Sequence, residues 1–166
     1  FAIQESLELL TKKQLDSSFD LNFFAHHYFV KHGTSVMKKQ NIKGSVIFNI
    51  SKQAVNPGPN FGAYGLPKAA LMFLMKQYVV ESSKFGIRFN GVNADRIRSG
   101  LLNPEMIAKR AKSRGLSVEA YMAGNLLKEE VKSTDVADAF YHLAISYKTT
   151  ASVITVDGGN IESSLR

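Results

Sequence analysis

The chain has 166 residues, of which 45% are hydrophobic and 21% charged, a composition typical of one folded domain and too apolar for a disordered chain. It contains no cysteine, which excludes a disulfide scaffold, a cysteine-based zinc site and a cysteine nucleophile. No apolar run reaches the ~20 residues of a transmembrane helix, and a formal net charge of +7 leaves nucleic-acid binding open.

The predicted elements alternate between helices and strands. In chain order they are a helix over 15–40, a strand over 45–50, a helix over 63–84, a strand over 87–93, helices over 104–114, 118–127 and 133–147, and a strand over 152–156. The strands are nearly continuous apolar runs, which is typical of strands buried on both faces. The alternation therefore predicts an α/β fold with a parallel sheet, in which residues 1–166 belong to one domain.

Three residues mark the predicted helix boundaries. Pro67 falls in the first turn of the helix over 63–84, where its missing N–H costs little. Gly86 predicts the end of that helix, and Thr134 is predicted to cap the helix over 133–147.

A tyrosine and a lysine stand four residues apart at the start of the helix over 63–84. This spacing places the side chains of Tyr64 and Lys68 on one helix face. An ammonium beside a phenol stabilises the phenolate, so we expect Lys68 to lower the pKa of Tyr64 and make it a general acid or base. Ser51, thirteen residues earlier and just after the first predicted strand, offers a hydroxyl to the same substrate oxygen.

The Tyr-x-x-x-Lys pattern alone has low specificity. Such pairs arise often by chance, and a partly buried tyrosine beside a solvated lysine is the alternative interpretation. The surrounding segments carry more information than the pair.

Five segments together resemble the short-chain dehydrogenase/reductase family. They are Asp20–Asn22, Gly44–Ser51, the pair Tyr64 and Lys68, Gly86–Asn93, and Val156–Gly159. The resemblance covers nearly the whole chain and implies the C-terminal half of a Rossmann-type doubly wound parallel sheet. About three strands with flanking helices are then expected, without the N-terminal βαβ units.

The resemblance also implies roles for individual residues. Tyr64 would be the proton donor or acceptor, and Lys68 would lower its pKa and bind the nicotinamide ribose. Ser51 would position the substrate oxygen, and Asn22 would hold a proton-relay water. The implied reaction is hydride transfer between NAD and an alcohol, aldehyde or other carbonyl carbon, with NADP not excluded. The residues implied to contact the cofactor are Tyr64, Lys68, Asn93, Ile97 and Ser99.

Two positions depart from the family pattern. Asn93 is followed by Ala94 and Asp95, where the family usually has Pro-Gly, and Ser51 is followed by Lys52, where the family often has a second serine. Ile97 and Ser99 still align with positions that contact the carboxamide, while the backbone before them is expected to differ.

The sequence contains no Gly-x-Gly-x-x-Gly loop of the kind that binds a pyrophosphate at a helix N-terminus. The start at Phe1 fits a chain cut just after the family's Asn-Ala-Gly segment. We therefore expect the chain to be a catalytic half that is inactive on its own.

Three longer stretches resemble the dehydrogenase half of bifunctional rhamnulose-1-phosphate aldolase/lactaldehyde dehydrogenases. They are 51–59, 93–102 and 121–127. This resemblance implies oxidation of lactaldehyde to lactate in rhamnose catabolism and an aldolase domain elsewhere in the protein. Arg96, Arg98 and the segment 104–127 would then shape a small polar substrate site, and a solvated loop is the alternative for the two arginines.

The expected partners are a small-molecule substrate and a second copy of the chain. In the family, helices corresponding to 15–40 and 63–84 pair across a subunit interface, so we expect a homo-oligomer. No membrane, nucleic-acid or metal partner is expected, since the basic residues are dispersed and His26 and His27 point to different helix faces. The location is expected to be cytoplasmic. A basic binding module without catalysis is the alternative function.

Overall fold

A computed structural model describes residues 2–160 of the chain. The elements, in chain order, are α1 (Lys12–Phe19), a π-helical segment (Asp20–Phe24), α2 (Ala25–Lys39), β1 (Ser45–Asn49), a 3₁₀ turn (Lys52–Ala54), α3 (Gly62–Ser82), a second 3₁₀ turn (Ser83–Phe85), β2 (Arg88–Ala94), α4 (Pro104–Lys112), α5 (Val118–Met122), α6 (Ser133–Ile145) and β3 (Val153–Val156). Among these residues, no helix combines the length and apolar character needed to cross a bilayer.

The three strands form one parallel sheet in the order β1-β2-β3, which confirms the predicted α/β fold. Ser45 of β1 pairs with Arg88 of β2, and Gly91 of β2 pairs with Val153 of β3. Parallel neighbours place all strand carboxyl ends along one edge of the sheet, and this edge carries the candidate site.

Side chains of β2 alternate between two apolar cores on opposite faces of the sheet. Phe89 packs with Leu71 and Met75 of α3. Val92, three residues later, packs with Leu143 of α6. Burial on both faces explains why the strands are continuous apolar runs. A third apolar cluster, which includes Ile107 of α4 and Met122 of α5, lies apart from both.

The predicted helix over 15–40 begins earlier and is interrupted. Thr11 caps α1 by accepting from the Gln14 N–H, and the Gln14 side chain accepts from the Thr11 N–H at 2.9 Å. The π-helical segment Asp20–Phe24 then joins α1 to α2. A single inserted residue shifts the register without removing the helical pattern, so apolar spacing gave no sign of it.

Of the three residues predicted to mark helix boundaries, two differ from the prediction and one confirms it. Pro67 is the sixth residue of α3, in the second turn rather than the first. Thr134 is not the cap of α6, because the helix begins at Ser133 and the Lys132 N–H donates to Asp135 Oδ2 at 2.7 Å. Gly86 ends the α3 region with a left-handed φ of 77°, as predicted.

The predicted helix over 118–127 stops at Met122. The N–H groups of Leu126 and Leu127 donate to the carbonyls of Gly159 and Gly158 instead of to a preceding turn. These long-range hydrogen bonds join the segment after α5 to the turn that follows β3, so this segment does not continue the helix.

Gly91 is expected to resist substitution although it lies in a strand interior. A Cβ at Gly91 would lie 2.4 Å from Ile50 Cδ1 and 3.3 Å from Met75 Sδ, so Gly91→Ala should overpack the core and lower the free energy of unfolding by about 1–3 kcal/mol. Gly33→Ala is the matched control, since a Cβ there meets no atom within 4 Å and should raise stability by about 0.5–1 kcal/mol. Denaturant unfolding of both variants measures the effects. Equal shifts would contradict the packing described here.

Candidate active site

The candidate site lies where β1 and β2 end. Ser51 follows β1 with extended backbone, and its hydroxyl accepts from the Gln53 N–H at 3.3 Å, which starts the 3₁₀ turn Lys52–Ala54. Tyr64 is the third residue of α3, and that helix packs against the same turn. A turn at the strand end and the start of a helix thus meet at the sheet edge where open α/β sheets bind ligands.

The side chain of Ser51 acts on the ionisation of Tyr64, which lies thirteen residues later in sequence and lines the same cavity. Burial raises the pKa of Tyr64, and the side chain of Ser51 opposes that increase. The sequence-based expectation of a pKa lowered by Lys68 is wrong for this chain. The Lys68 ammonium lies 5.7 Å from the Tyr64 ring centroid, and it donates to a backbone carbonyl instead of the phenol.

Lys68 is a buried ammonium, 5% exposed, held by one backbone acceptor. Its Nζ donates to the Asn49 carbonyl at 2.9 Å, at the last residue of β1. Burial lowers the pKa of Lys68 to about 8, and burial together with the Lys68 charge lowers that of His26. No carboxylate pairs with Lys68 in the part of the chain that the structure describes. Two of its three N–H groups can therefore donate to hydroxyls of a bound molecule.

Asn22 lies in the π-helical segment, which packs against α3. Its amide Nδ2 donates to the Ser18 carbonyl at 3.1 Å and to Ser18 Oγ at 3.2 Å. Irregular turns of this kind occur frequently at functional sites, since they reorient one side chain or carbonyl. The role of Asn22 in holding a water stays a prediction.

The three further residues predicted to contact a cofactor occupy different environments. Asn93 is 4% exposed; its Nδ2 lies 3.5 Å from Thr155 Oγ1, and its Oδ1 is buried without a hydrogen-bond partner. Ile97 lines the cavity described below. Ser99 lines it too, but its Oγ accepts from the Leu102 N–H at 3.1 Å.

The two departures from the family pattern meet in space. Lys52 Nζ lies 3.5 Å from Asp95 Oδ2, and both side chains are largely buried. The same oxygen accepts from Asn160 Nδ2 at 2.9 Å and lies 3.3 Å from Arg96 Nε. Sequence reasoning noted Lys52 and Asp95 separately and missed their pairing. The sequence did contain a signal for this pairing, since Lys52 and Asp95 carry opposite charges and each follows one of two neighbouring predicted strands.

A cavity of about 1170 Å³ opens beside this edge of the sheet. Ser51 and Tyr64 line it, together with residues of α4 and the buried Tyr121 of α5. Its charged lining residues are predominantly cationic: Lys52, Arg96, Lys109, Arg110 and Arg114, with Asp95 and Glu105. Arg98 is not a lining residue, because it is exposed and paired with Glu130 through contacts of 2.5 and 3.1 Å.

The buried residues present fit a nicotinamide nucleotide. Lys68 has unused donors for ribose hydroxyls, and the buried, unpartnered Oδ1 of Asn93 suits an amide donor such as a carboxamide. No three His, Asp or Glu side chains of residues 2–160 come together as a metal site would require.

Comparison with known proteins shows likeness along most of the chain. A family model described as enoyl-(acyl carrier protein) reductase matches residues 1–160. YuxG, an uncharacterized oxidoreductase of Bacillus subtilis, is 32% identical over 150 residues, which are 84% of this chain and 22% of that protein. Short-chain dehydrogenase reductase 3a of Arabidopsis thaliana is 30% identical over 154 residues, 90% of this chain and 58% of that protein.

Among solved structures, the L-sorbose reductase of Gluconobacter frateurii, complexed with NADPH and L-sorbose, has a TM-score of 0.84 at 21% identity. The match covers 97% of this chain and 63% of that one. The chain thus spans less than two thirds of each of these three proteins. The predicted fold class, a partial Rossmann-type sheet with flanking helices, is confirmed.

Proposed function

Because the chain belongs to the short-chain dehydrogenase/reductase family, we propose that it carries the proton-transfer residues of an NAD(P)-dependent oxidoreductase. The observation that carries this proposal is that Ser51 and Tyr64 line one cavity, while Lys68 donates to the carbonyl of Asn49, which lines the same cavity. The proposed reaction interconverts an alcohol or aldehyde with its oxidised form.

Tyr64 would move the proton in this reaction. In the oxidative direction its phenolate accepts the proton of the substrate hydroxyl, and in the reductive direction the phenol donates it to the carbonyl oxygen. The Ser51 hydroxyl, which lines the cavity beside Tyr64, would donate to the same substrate oxygen and fix its position. The Lys68 ammonium, which donates to the Asn49 carbonyl and not to the phenol, would contribute by binding.

The nicotinamide, when bound, supplies or accepts the hydride. Lys68 and Tyr64 would hold the ribose, and Asn93, Ile97 and Ser99 would border the nicotinamide. The sequence lacks a glycine-rich pyrophosphate loop and the residue that selects NAD or NADP. The proposal therefore assigns those functions to a part of the protein outside these 166 residues and includes little turnover by this chain alone.

The proposed substrate is lactaldehyde, oxidised to lactate in rhamnose catabolism by a protein with an aldolase domain. Hydrated lactaldehyde loses a hydride from its aldehyde carbon and a proton from one hydroxyl, which leaves the carboxylic acid. A polar cavity beside Tyr64 supports a small polar substrate. The Bacillus subtilis relative, matched over 22% of its length, supports a longer protein.

The proposal also includes a homo-oligomer and a cytoplasmic location. Large apolar side chains are exposed on the helices predicted to pair, including Phe29 of α2 at 82% and Val80 of α3 at 78%. Buried contact with a second copy would remove them from water. The absence of cysteine is compatible with a reducing compartment.

A substrate panel tests the proposed reaction. The full-length protein should oxidise lactaldehyde with NAD⁺ at a kcat/KM about tenfold or more above that for propionaldehyde, because the cavity's polar groups pair with the additional hydroxyl. The measurement is the absorbance of reduced nicotinamide. Absence of turnover with every alcohol and aldehyde, together with salt-sensitive duplex DNA or RNA binding, would instead favour the basic binding module.

A further inference from the structure

Three arginines of the cavity, Arg96, Arg110 and Arg114, form a surface that we call the arginine wall. The guanidinium carbons of Arg96 and Arg114 lie 5.2 and 5.4 Å from the centroid of the Tyr121 ring. That of Arg110 lies 4.8 Å from the centroid of the Phe61 ring. Aromatic contact holds each planar guanidinium and leaves edge N–H groups for further acceptors.

The positive charge of the wall is incompletely neutralised. Arg96 is beside Asp95, which Lys52 also contacts. Neither Arg110 nor Arg114 forms an ion pair with a carboxylate in the described part of the chain. Two cationic groups that share one ring repel each other, and an anion between or beside them relieves that repulsion.

The wall is also oriented before any ligand binds. Arg96 Nη1 donates to the Tyr121 carbonyl at 2.7 Å, and Arg96 itself has a left-handed φ of 50°. Gly124 leaves the space that this guanidinium fills, since a Cβ there would lie 2.4 Å from Arg96 Nη1. Arg114 Nη1 donates to the Arg110 carbonyl at 3.1 Å. A preoriented cation loses little freedom when it binds its partner.

The wall is connected to the catalytic helix. Phe61, which Arg110 covers, is the N-cap residue of α3, and its carbonyl accepts from the Tyr64 N–H at 3.0 Å. Tyr64 and the arginine wall line the same cavity. A molecule bound in this cavity can therefore contact both Tyr64 and the arginines.

We propose that the arginine wall binds the carboxylate of a small hydroxy or oxo acid whose reacting group faces Tyr64. Guanidinium groups bind carboxylates through paired N–H donors, whereas a neutral polyol gives them no opposite charge. This inference rests on the proposed function, because Tyr64 would accept the proton of the ligand's hydroxyl while the hydride leaves the same carbon for NAD⁺, which converts a hydroxy acid into an oxo acid and leaves its carboxylate at the arginines. It adds the ligand's charge and the residues that recognise it.

Calorimetric titration of the full-length protein, with and without NAD⁺, tests the wall directly. Lactate should bind about tenfold or more tighter than lactamide, its neutral analogue. Arg110→Gln and Arg114→Gln should each weaken lactate binding by about fivefold to tenfold and leave lactamide unchanged. Arg98→Gln is the matched control, because Arg98 is exposed, paired with Glu130 and outside the cavity. Circular dichroism checks that each variant is folded.

Equal affinity for lactate and lactamide, or lactate binding unchanged by both cavity variants, overturns the proposal. Inorganic phosphate that binds tighter than lactate and depends on the same arginines also overturns the carboxylate assignment and favours a phosphate-bearing ligand. A failure of the proposed function can be distinguished from a failure of this inference. If only the proposed function fails, the protein transfers no hydride to any substrate, while lactate still binds through Arg110 and Arg114.

Discussion

Tyr64→Phe is expected to lower kcat/KM for the proposed reaction by about 10²–10⁴-fold, since it removes the proton-transferring oxygen. The variant also loses one proposed hydrogen bond to the ribose, so dinucleotide affinity should fall by about tenfold at most. The hydroxyl is the part of the side chain on whose ionisation Ser51 acts. Steady-state turnover and dinucleotide titration of the full-length protein separate the two effects.

Tyr78→Phe provides the matched control. Burial raises the pKa of Tyr78 as it does that of Tyr64, but the Tyr78 hydroxyl lies 3.4 Å from His27 Nδ1, outside the cavity. Turnover of this variant should stay close to that of the natural protein. Tyr64→Phe with undiminished turnover would refute the assigned proton-transfer role.

The proton-transfer role of Tyr64 also predicts how the rate of the reaction changes with pH. Because burial raises the pKa of Tyr64, the phenolate needed for oxidation becomes more populated as pH increases through the alkaline range. Oxidation should therefore accelerate with pH, whereas reduction, which uses the phenol, should not gain. This alkaline limb should disappear in Tyr64→Phe.

Lys68→Met is expected to abolish most activity and, at neutral pH, to stabilise the fold. A pKa lowered from 10.5 to about 8 corresponds to a cost on the order of 3 kcal/mol for burying the ammonium. Loss of the hydrogen bond to the Asn49 carbonyl offsets about 1 kcal/mol of the gain. The net expectation is an increase of about 2 kcal/mol in the free energy of unfolding, with activity lowered by about 10²-fold or more.

The stability difference should depend on pH with a defined sign. Between pH of about 8 and 10.5 the unfolded chain keeps the Lys68 proton that the folded chain has lost. Stability of the natural protein therefore rises with pH in this window, and the advantage of Lys68→Met shrinks through it. Denaturant unfolding at pH 7 and pH 10 measures the change.

Lys76→Met is the matched control, because it makes the same lysine-to-methionine change on α3 at a position where the lysine is exposed. Its effect on stability should be small at both pH values, as should its effect on turnover. A Lys68→Met variant that is less stable at pH 7, or whose stability difference is independent of pH, would show that burial of the ammonium is not costly.

The sheet and the main residues of the site could be predicted because their signals are local. Apolar β-branched runs separated by helices require a parallel sheet, and the carboxyl ends of β1 and β2 must then lie together. Ser51 follows one of those ends, and Tyr64 begins the next helix. Their meeting therefore follows from chain order.

Other features depend on contacts that sequence periodicity does not contain. The π-helical segment around Asn22 inserts a residue without disturbing the apolar pattern. The sign of the Tyr64 pKa shift is set by burial, which the sequence pattern does not contain. The ring of Tyr121 contacts Arg114, from the turn just before α5, and Arg96, from the segment after β2, so no single spacing rule predicts this arrangement.

Transfer of deuterium from substrate to dinucleotide tests the central claim most directly. The full-length protein is incubated with NAD⁺ and with lactaldehyde deuterated at the aldehyde carbon, and the reduced dinucleotide is analysed by mass spectrometry. The account predicts one deuterium on the nicotinamide ring, and transfer slowed about 10²-fold or more in Tyr64→Phe. Reduced dinucleotide without deuterium, or equal transfer by Tyr64→Phe, would contradict it.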